Sequence, residues 1–381
     1  MSGAGARGPW RVTYVIGELG KGGAEYQLVE LLRGIDRRQF APTVVSLSEG
    51  GYWAGPVREL GVRLHELPQR RRFEPARLRG LRTLVRATRP HLLHTILWSG
   101  NAYGRLAAWG LDVPVVLAAE RNVVRRPAWQ VVLERLLDRW TTAYLVNAAA
   151  VADEMCERGG LPRAKMHLVP NGIDLTRLPP YDEDRRRARE RLGFVPGRRL
   201  VAQVGRLAPQ KDHPTFLHAV ARIADEMSDV DFLIVGEGTL RSELERRAAE
   251  LGIADRVRFL GLRHDVPSLL AGVDVLTLTS RWEGLPNVVI EAMATGAAVV
   301  ATDVGGCREL VGTDEAGQLV GVGDVDAVAR ALRRLLRDEA ARLRGVRAAR
   351  ARIEADLTVE RMVARTQALY ARLLEAAGAR P

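Results

Sequence analysis

Cysteine is nearly absent from this chain: Cys156 and Cys307 are the only two among 381 residues. Two thiols exclude a disulfide framework and a four-cysteine zinc site. Lysine is almost as scarce, at Lys21, Lys165 and Lys211. Nearly all remaining positive charge is arginine, so a lysine on a loop draws notice. Long apolar runs are missing as well. No window of about 20 residues lacks a charge, which excludes a membrane-spanning helix. Met1 to Trp10 has no hydrophobic core of a signal peptide and reads as a short disordered tail. Cytoplasmic residence is the default expectation.

What is present is enough apolar material for real cores, 47% hydrophobic against 27% charged residues, and a length that suits two domains. The 57 Lys and Arg exceed the 46 Asp and Glu, for a net charge of +11. Such a balance favours anionic partners: nucleic acid, anionic lipid or phosphorylated small molecules. Coding base composition also biases a chain toward arginine, so charge alone names no partner.

Short apolar, β-branched runs alternate with longer amphipathic stretches. In the first half they include Val12–Ile16, Thr43–Leu47, Val62–Leu67, Val115–Ala118, Ala143–Val146 and Met166–Val169. In the second half they are Leu200–Val204, Phe232–Val235, Val257–Leu260, Val273–Thr277, Ala298–Ala301 and Gln318–Val320. Continuous apolar runs between helical stretches predict parallel strands covered on both faces, an α/β fold doubly wound twice over. The break falls near residues 175–198. Leu178-Pro179-Pro180, the charged run Tyr181–Arg191 and Val195-Pro196-Gly197 cannot continue a buried strand. The charged run reads as a short exposed helix beside a hinge. The expected domains are therefore 1–178, a linker at 179–197, and 198–359. Ligands bind at the strand ends of such folds, here in a central cleft that the two domains face.

The densest chemical signal is Ser280-Arg281-Trp282-Glu283-Gly284-Leu285-Pro286-Asn287-Val288-Val289-Ile290-Glu291. Pro286 suits the first positions of a helix running from Asn287 to about Thr295 and ended by Gly296. The helix start offers backbone N–H groups to an anion. Glu291 lies one turn inside an almost wholly apolar window, where a carboxylate needs donors or stays protonated. A helix cap with a structural glutamate explains the motif equally well. A second signal is Gly205-Arg206-Leu207-Ala208-Pro209-Gln210-Lys211, leaving the first strand of the second half. A guanidinium fork beside an ammonium suits a diphosphate, although two solvated loop charges are the commoner arrangement. Gly236 and Gly238 follow another strand and let backbone approach a ligand closely. Arg241 holds the place of the third glycine of a dinucleotide fingerprint, which argues against a nicotinamide site. Gly20-Lys21-Gly22-Gly23-Ala24-Glu25 opens a helix after the first strand, but without Gly-Lys-Ser/Thr it is no P-loop.

Together these segments resemble the retaining glycosyltransferases of family 4, which have the GT-B fold of two Rossmann-like domains. Glu283 and Glu291 match the family's Glu-x7-Glu signature in its Glu-Gly-Leu-Pro-Asn context. Gly205-Arg206-Leu207 with Lys211 resembles its diphosphate loop, Gly22-Gly23-Ala24-Glu25 its amino-terminal glycine loop, and Val169-Pro170-Asn171-Gly172-Ile173-Asp174 the segment before its hinge. The resemblance implies a sugar transferase using a nucleotide-diphosphate sugar and an acceptor hydroxyl. Envelope or extracellular polysaccharide or glycolipid synthesis is the usual setting. Glu283, Arg206 and Lys211 would serve catalysis. Glu291, on the ribose hydroxyls, would bind the donor with Gly205, Gly236, Gly238, Leu260, Gly284, Leu285, Pro286 and Asn287. The acceptor side would involve Gly22, Gly23, His94, Glu120, Arg121 and Asn171. The resemblance implies no metal and no cofactor beyond the donor itself. Residues after about 360 are expected to cross back to the first domain. One departure matters: many relatives carry a histidine after the strand matching Val115–Ala118, where this chain has Ala119-Glu120-Arg121-Asn122. Glu120 or Arg121 are candidates for that role. His94, ending another strand in Leu93-His94-Thr95, could face the cleft.

Asp324-Val325-Asp326 imitates a metal-binding triad, but its place before a helical run makes it a cap. His213, His218 and His264 lack ligand spacing. The basic stretch from Gln69-Arg70-Arg71-Arg72-Phe73 to Arg89 carries the apolar stripe Leu78, Leu81, Leu84 and Val85. It reads first as a surface helix packed on the sheet, and second as a patch for anionic lipid on the inner face of a membrane. Trp129 and Trp140 flank another helix with the same ambiguity. A nucleotide-sugar 2-epimerase of the same fold is the competing enzyme. A basic nucleic-acid-binding protein comes third, and no basic strand studded with aromatics supports it.

Overall fold

The computed structural model describes residues 8–68, 74–123, 126–179, 184–194, 197–312 and 316–380. It forms two compact units, Met1–Gly172 with Val359–Pro381, and Ile173–Thr358.

The first unit is α/β. Its elements are β1 (Trp10–Ile16), α1 (Gly23–Gly34), β2 (Phe40–Ser46), α2 (Ala54–Glu59), β3 (Arg63–Glu66), α3 (Pro75–Thr88), β4 (Leu92–Ile96), α4 (Leu97–Ala108), β5 (Val115–Glu120), α5 (Ala128–Asp138), β6 (Ala143–Val146), α6 (Ala149–Glu157) and β7 (Met166–Leu168). The strands run parallel in the order β3-β2-β1-β4-β5-β6-β7. The central strands β4, β5 and β6 are buried at every residue, as sheets covered on both faces require. One core cluster lies under α1 and α2, and the other packs Leu81 and Val85 of α3 with Ala107 of α4 against Val15, Val45 and Leu93. The stripe on α3 is thus packed on the sheet, while Gln69–Phe73 lies outside the described residues. The tail read over Met1–Trp10 is outside them up to residue 7. Trp10 itself starts β1 and stacks at 5.7 Å on Phe40, so the strand begins earlier than apolar content alone suggested.

The second unit holds α7 (Asp184–Arg191), β8 (Arg199–Val204), α8 (His213–Ala224), β9 (Val230–Val235), α9 (Arg241–Glu250), β10 (Val257–Gly261), α10 (Val266–Gly272), β11 (Val275–Leu278), α11 (Asn287–Thr295), β12 (Ala298–Thr302), α12 (Cys307–Val311), β13 (Gln318–Val320), α13 (Val325–Arg337) and α14 (Glu339–Asp356). The parallel order is β10-β9-β8-β11-β12-β13. α13 shows why its sequence is helical. Val328, Leu332, Leu335 and Leu336 form one buried stripe, and the Asp324 carboxylate accepts the Ala327 amide at 2.8 Å as N-cap.

The unit boundary at 172/173 lies earlier than residue 178. Of the run Tyr181–Arg191, residues 181–183 lie outside the described residues, as do Val195 and Pro196. The rest forms α7, which is docked rather than freely exposed. Arg185 and Arg189 each reach the buried Asp274 carboxylate at 2.5 Å, and the Leu200 amide donates to the same group at 2.8 Å. A buried carboxylate with several donors is compensated, and its guanidinium partners tie the helix to the unit.

The last helix, α15 (Val359–Ala376), belongs to the first unit and lies against α1. Met362, Val363, Leu369, Tyr370 and Leu374 complete the cluster formed by Val12, Leu28, Leu32 and Phe40. The chain therefore returns near its end to bury a face that α1 and α2 leave open. Leu374→Ala should lower the stability of the first unit by about 2–5 kcal/mol. Urea unfolding followed by tryptophan fluorescence checks this, and an unchanged midpoint would show that α15 contributes nothing to that core.

Candidate functional site

In each sheet the winding reverses once, at β1/β4 in the first unit and at β8/β11 in the second. Ligands of open α/β sheets bind outside the carboxyl ends of the strands at such a reversal. Three described non-glycine residues have positive φ, and two stand at these places. Asp212 (φ 45°) follows β8 by one loop, and Leu97 (φ 59°) follows β4 directly. Conformations that side chains avoid persist where surrounding structure imposes them.

In the second unit the loop after β8 lies against the loop after β9. The Gly205 amide donates to Val235 O and the Leu207 amide to Glu237 O, both at 2.9 Å. A Cβ on Gly236 (φ 143°) would come within 2.0 Å of Gly205 O, and one on Gly238 within 2.2 Å of Leu207 O. The close approach that these glycines permit is therefore between two loops. Leu260 lies beside them at the bulged end of β10, where Gly261 O accepts the Gly236 amide at 2.8 Å.

Lys211 closes a single 3₁₀ turn, Pro209–Lys211. Its carbonyl accepts from Gln203 Nε2 at 2.9 Å and Thr279 Oγ1 at 3.1 Å, and Thr279 also bonds Asp212 O at 2.9 Å. The Asp212 carboxylate takes Thr215 Oγ1 at 3.0 Å and Arg281 Nε at 3.3 Å. From the other side the Arg281 amide donates to Gln210 O at 2.8 Å and Gln210 Nε2 to Trp282 O at 2.9 Å. These bonds bring Lys211 Nζ to 2.5 Å from Glu283 Oε1, with the two side chains 17% and 8% exposed. The Glu283–Gly284 backbone is seated on Gly305 and Gly306. A Cβ on Gly305 would meet Glu283 O at 1.9 Å, and the Gly306 amide donates to Gly284 O at 2.7 Å. Arg206 is exposed and has no ion pair among the described residues. Of the two cations read as a diphosphate clamp, one is already paired with a carboxylate.

α11 begins after Pro286, which has no side-chain oxygen to cap it, and ends at Gly296 (φ 91°), the predicted span. Leu285 is buried beside it, and Asn287 is its first residue. Glu291 stands one turn in, and burial pushes its carboxyl up to about 7. Its side chain is half-buried on the helix, and no group among the described residues donates to that carboxylate.

In the first unit Gly22 is the N-cap of α1, and a Cβ there would fall 2.0 Å from Glu25 Oε2. Gly23 starts the helix. Glu25 is buried, and its carboxyl is raised chiefly by desolvation. Glu120 ends β5 and pairs with Arg126; its carboxyl too is raised by burial. It lines a cavity of about 390 Å³ with Asn122, Glu134, Glu154 and Arg158. Arg121 Nη1 donates to Asn171 Oδ1 at 2.7 Å, and Asn147 Nδ2 reaches the same oxygen at 3.3 Å. Burial brings the Arg121 guanidinium down to about 10. Arg121 Nε and Asn147 Oδ1 are buried without partners among the described residues, so the group has capacity for a further bond.

His94 does not end its strand. It sits in the middle of β4 at 1% exposure, paired across to Tyr14, with Nδ1 2.5 Å from Tyr370 Oη. Burial drives its imidazole down to about 3, so it is a neutral core residue and not a group facing solvent. Its partner comes from α15, 276 residues later, beyond the reach of local pattern. Glu25, Asn147, Gln203 and Thr279 are the polar residues that motif reading passed over. Only Glu25 had a visible signal, inside the glycine-rich stretch. Among the described residues no cluster of three or more His, Cys, Asp or Glu could hold a metal ion.

Two family models match the chain in succession. "Glycosyltransferase Family 4" covers residues 21–177 and "Glycosyl transferases group 1" covers residues 184–352. The chain belongs to this glycosyltransferase family, with the GT-B fold. It is 31% identical over 264 residues to 2-deoxystreptamine glucosyltransferase of Streptomyces kanamyceticus, covering 68% of this chain and 65% of the relative. It is 32% identical over 178 residues to UDP-Gal:alpha-D-GlcNAc-diphosphoundecaprenol alpha-1,3-galactosyltransferase of Escherichia coli, 46% of either chain. The matches thus span about half to two-thirds of these relatives. Anabaena Alr3699/HepE, solved in complex with UDP and glucose, superposes with a TM-score of 0.86 at 20% identity, over 95% of this chain and all of that one.

The raised Glu291 carboxyl has a consequence for stability. Between pH 4.5, its ordinary value, and about 7 the folded protein holds a proton that the unfolded chain has released. Stability should therefore fall as pH rises through that window and level off above it. Comparing melting temperatures of wild type and Glu291→Gln across the window checks this: the variant should lose that part of the slope, and identical slopes would contradict it.

Proposed function

We propose that this protein is a glycosyltransferase that takes a sugar from a nucleotide-diphosphate sugar and retains its anomeric configuration, without a metal ion. The observation that carries the reading is the Lys211–Glu283 pair, held at the β8/β11 reversal beside the start of α11. A diphosphate there would meet the Arg206 fork, the Lys211 ammonium and the positive end of a helix. Family membership and the names of the relatives support the same class of donor.

The chemistry follows from that placement. The bond from anomeric carbon to diphosphate oxygen breaks, and its electron pair stays on the leaving phosphate. Arg206, Lys211 and the helix start stabilise the growing charge, since preorganised positive groups act most strongly where charge develops. The acceptor oxygen attacks the same face of the sugar, and its proton passes to the departing phosphate oxygen. Once the diphosphate draws Lys211 away, Glu283 is free to accept hydroxyl hydrogens of the donor sugar. Glu291 accepts from the ribose, while Gly205, Gly236, Gly238, Leu260, Gly284, Leu285, Pro286 and Asn287 shape the rest of the donor site. Gly22, Gly23, Glu120, Arg121 and Asn171 of the first unit bind the acceptor, with Arg121 in place of the histidine many relatives have. His94 supports that wall from the core. The acceptor is a sugar or a lipid-linked sugar in envelope or extracellular polysaccharide synthesis; the name of the Escherichia coli relative gives a diphosphoundecaprenol-linked GlcNAc for that enzyme. The protein works in the cytoplasm, at the membrane face. No helix among the described residues is long and apolar enough to cross a membrane.

Calorimetry with UDP-, GDP- and ADP-sugars, then product detection with candidate acceptors, tests the reading. One donor should bind, and transfer should give the retained anomer. Arg206→Ala with Lys211→Ala should lower kcat roughly a hundredfold to a thousandfold, and EDTA should leave turnover intact. Full turnover of the double variant, or strict metal dependence, would reject the mechanism. Conversion of the donor sugar without an acceptor would instead identify an epimerase.

A further inference from the structure

α5 joins β5 to β6 and α6 joins β6 to β7, so both helices cross on the same face of the sheet. Helices side by side ordinarily interlock their side chains, but these two pack only loosely. Between them lies the cavity of about 390 Å³ that Glu120 also lines. Its volume is at the small end of ligand-sized clefts, which run from about 300 to 1,000 Å³. Its walls are fixed. Arg135 of α5 reaches across to the end of α6, where its Nε donates to Gly159 O at 2.7 Å. Gly160 (φ 68°) leaves room for it, since a Cβ there would stand 2.8 Å from that Nε. On the strand side Arg126 is held between the Glu120 carboxylate and the Trp98 ring, 5.3 Å from the ring centroid.

The lining has two kinds of surface. Val131, Met155 and Leu161 are apolar. The rest is polar, and its cations are already engaged: Arg126 with Glu120, and Arg158 with Glu154 at 3.3 Å. The third carboxylate, Glu134, is 2% exposed and takes the buried Arg105 at 2.7 Å through Oε1. Three carboxylates thus meet three guanidiniums, and the charges balance. What remains unspent is the capacity to accept. Glu134 Oε2 has no hydrogen-bond donor among the described residues, with Arg126 Nη1 3.9 Å away, and Asn122 Oδ1 has none either. Buried acceptors without donors are uncommon in folded proteins, and a further group is the ordinary explanation.

We infer that the α5–α6 cavity holds a neutral, hydroxylated sugar ring of the acceptor. A pyranose has an edge of O–H donors and a face of C–H groups. The edge would satisfy Glu134 Oε2 and Asn122 Oδ1, and the face would rest on Val131, Met155 and Leu161. A phosphate or carboxylate brings acceptors to a lining whose guanidiniums are already taken, and would meet three carboxylates of its own sign. An ammonium would add a charge to a set that is already balanced. That the ring belongs to an acceptor rests on the proposed transfer reaction. Occupancy of the cavity itself needs no donor, so the two readings can fail separately.

The test is saturation-transfer NMR on the full chain. The neutral probes are the methyl α-glycosides of glucose, galactose and mannose, and the charged probes are those of glucosamine and glucuronic acid. At least one neutral probe should bind, and both charged ones should bind at least about tenfold less tightly than it. Val131→Phe fills the space the ring needs and should cut that affinity at least about tenfold, while Val131→Ala, which leaves the space open, should stay within about threefold of wild type. Asn122→Ala removes one acceptor and should weaken binding about threefold to tenfold. Val131 and Asn122 are both half-buried, so the variants should fold, with wild-type circular dichroism and melting. Failure of every neutral probe would overturn the inference. So would a charged probe that binds as tightly as the neutral ones, or wild-type affinity in both Val131→Phe and Asn122→Ala. Calorimetry with UDP-, GDP- and ADP-sugars on the same samples reports on the donor reading alone. A donor that binds while no neutral glycoside does sinks only the cavity assignment, and a glycoside that binds while no donor does sinks only the transferase.

Discussion

A lysine and a glutamate held mostly out of water, 2.5 Å apart, set the terms for the second unit. Each ion has given up most of its hydration, and the other compensates that loss, so removing either would leave a largely buried charge without its partner. Their loops cannot drift. Gln203 and Thr279, both wholly buried, grip the carbonyls of Lys211 and Asp212, and Gln210 and Arg281 bind the loops to each other. The left-handed Asp212 and the contacts of Gly236, Gly238 and Gly305 belong to the same constraint. The pair also means that the resting site partly neutralises itself. Under the proposed function, an anion bound here would compete with Glu283 for Lys211 and leave the carboxylate open to hydrogen bonds from a sugar.

The first unit distributes its polar groups differently. Arg105 is fully buried, bonded to Glu134 at 2.7 Å and Asn101 O at 2.9 Å, and the ionic chain continues through Arg126 to Glu120. Arg121, Asn147 and Asn171 form a separate group with unused hydrogen-bonding capacity. Burial raises the carboxyl groups of Glu25 and Glu120 and lowers the Arg121 guanidinium to about 10.

Much of this was legible beforehand because it depends on short-range chemistry. The span Asn287–Thr295 follows from Pro286 and Gly296, the cap at Asp324 from a carboxylate before an apolar stripe, and the strands from β-branched runs. What stayed hidden depends on partners far along the chain. His94 looked like a strand-end residue until Tyr370 arrived from the last helix to cover it. α7 looked solvated because Asp274, the anion that binds its arginines, lies 85 or more residues away. Gly236 and Gly238 announced a close approach, but not that the approaching group would be the neighbouring loop. Trp129 was ambiguous because helical spacing does not say which face meets the sheet; the burial of Leu137 decides it.

The central claim, that the joined loops of the second unit receive a nucleoside diphosphate, is tested most directly by hydrogen–deuterium exchange of the full chain with and without UDP, GDP or ADP. The account predicts that one nucleotide slows amide exchange in 205–212 and 283–291 together. Protection confined to the first unit, or none in these two segments with any of the three, would contradict it.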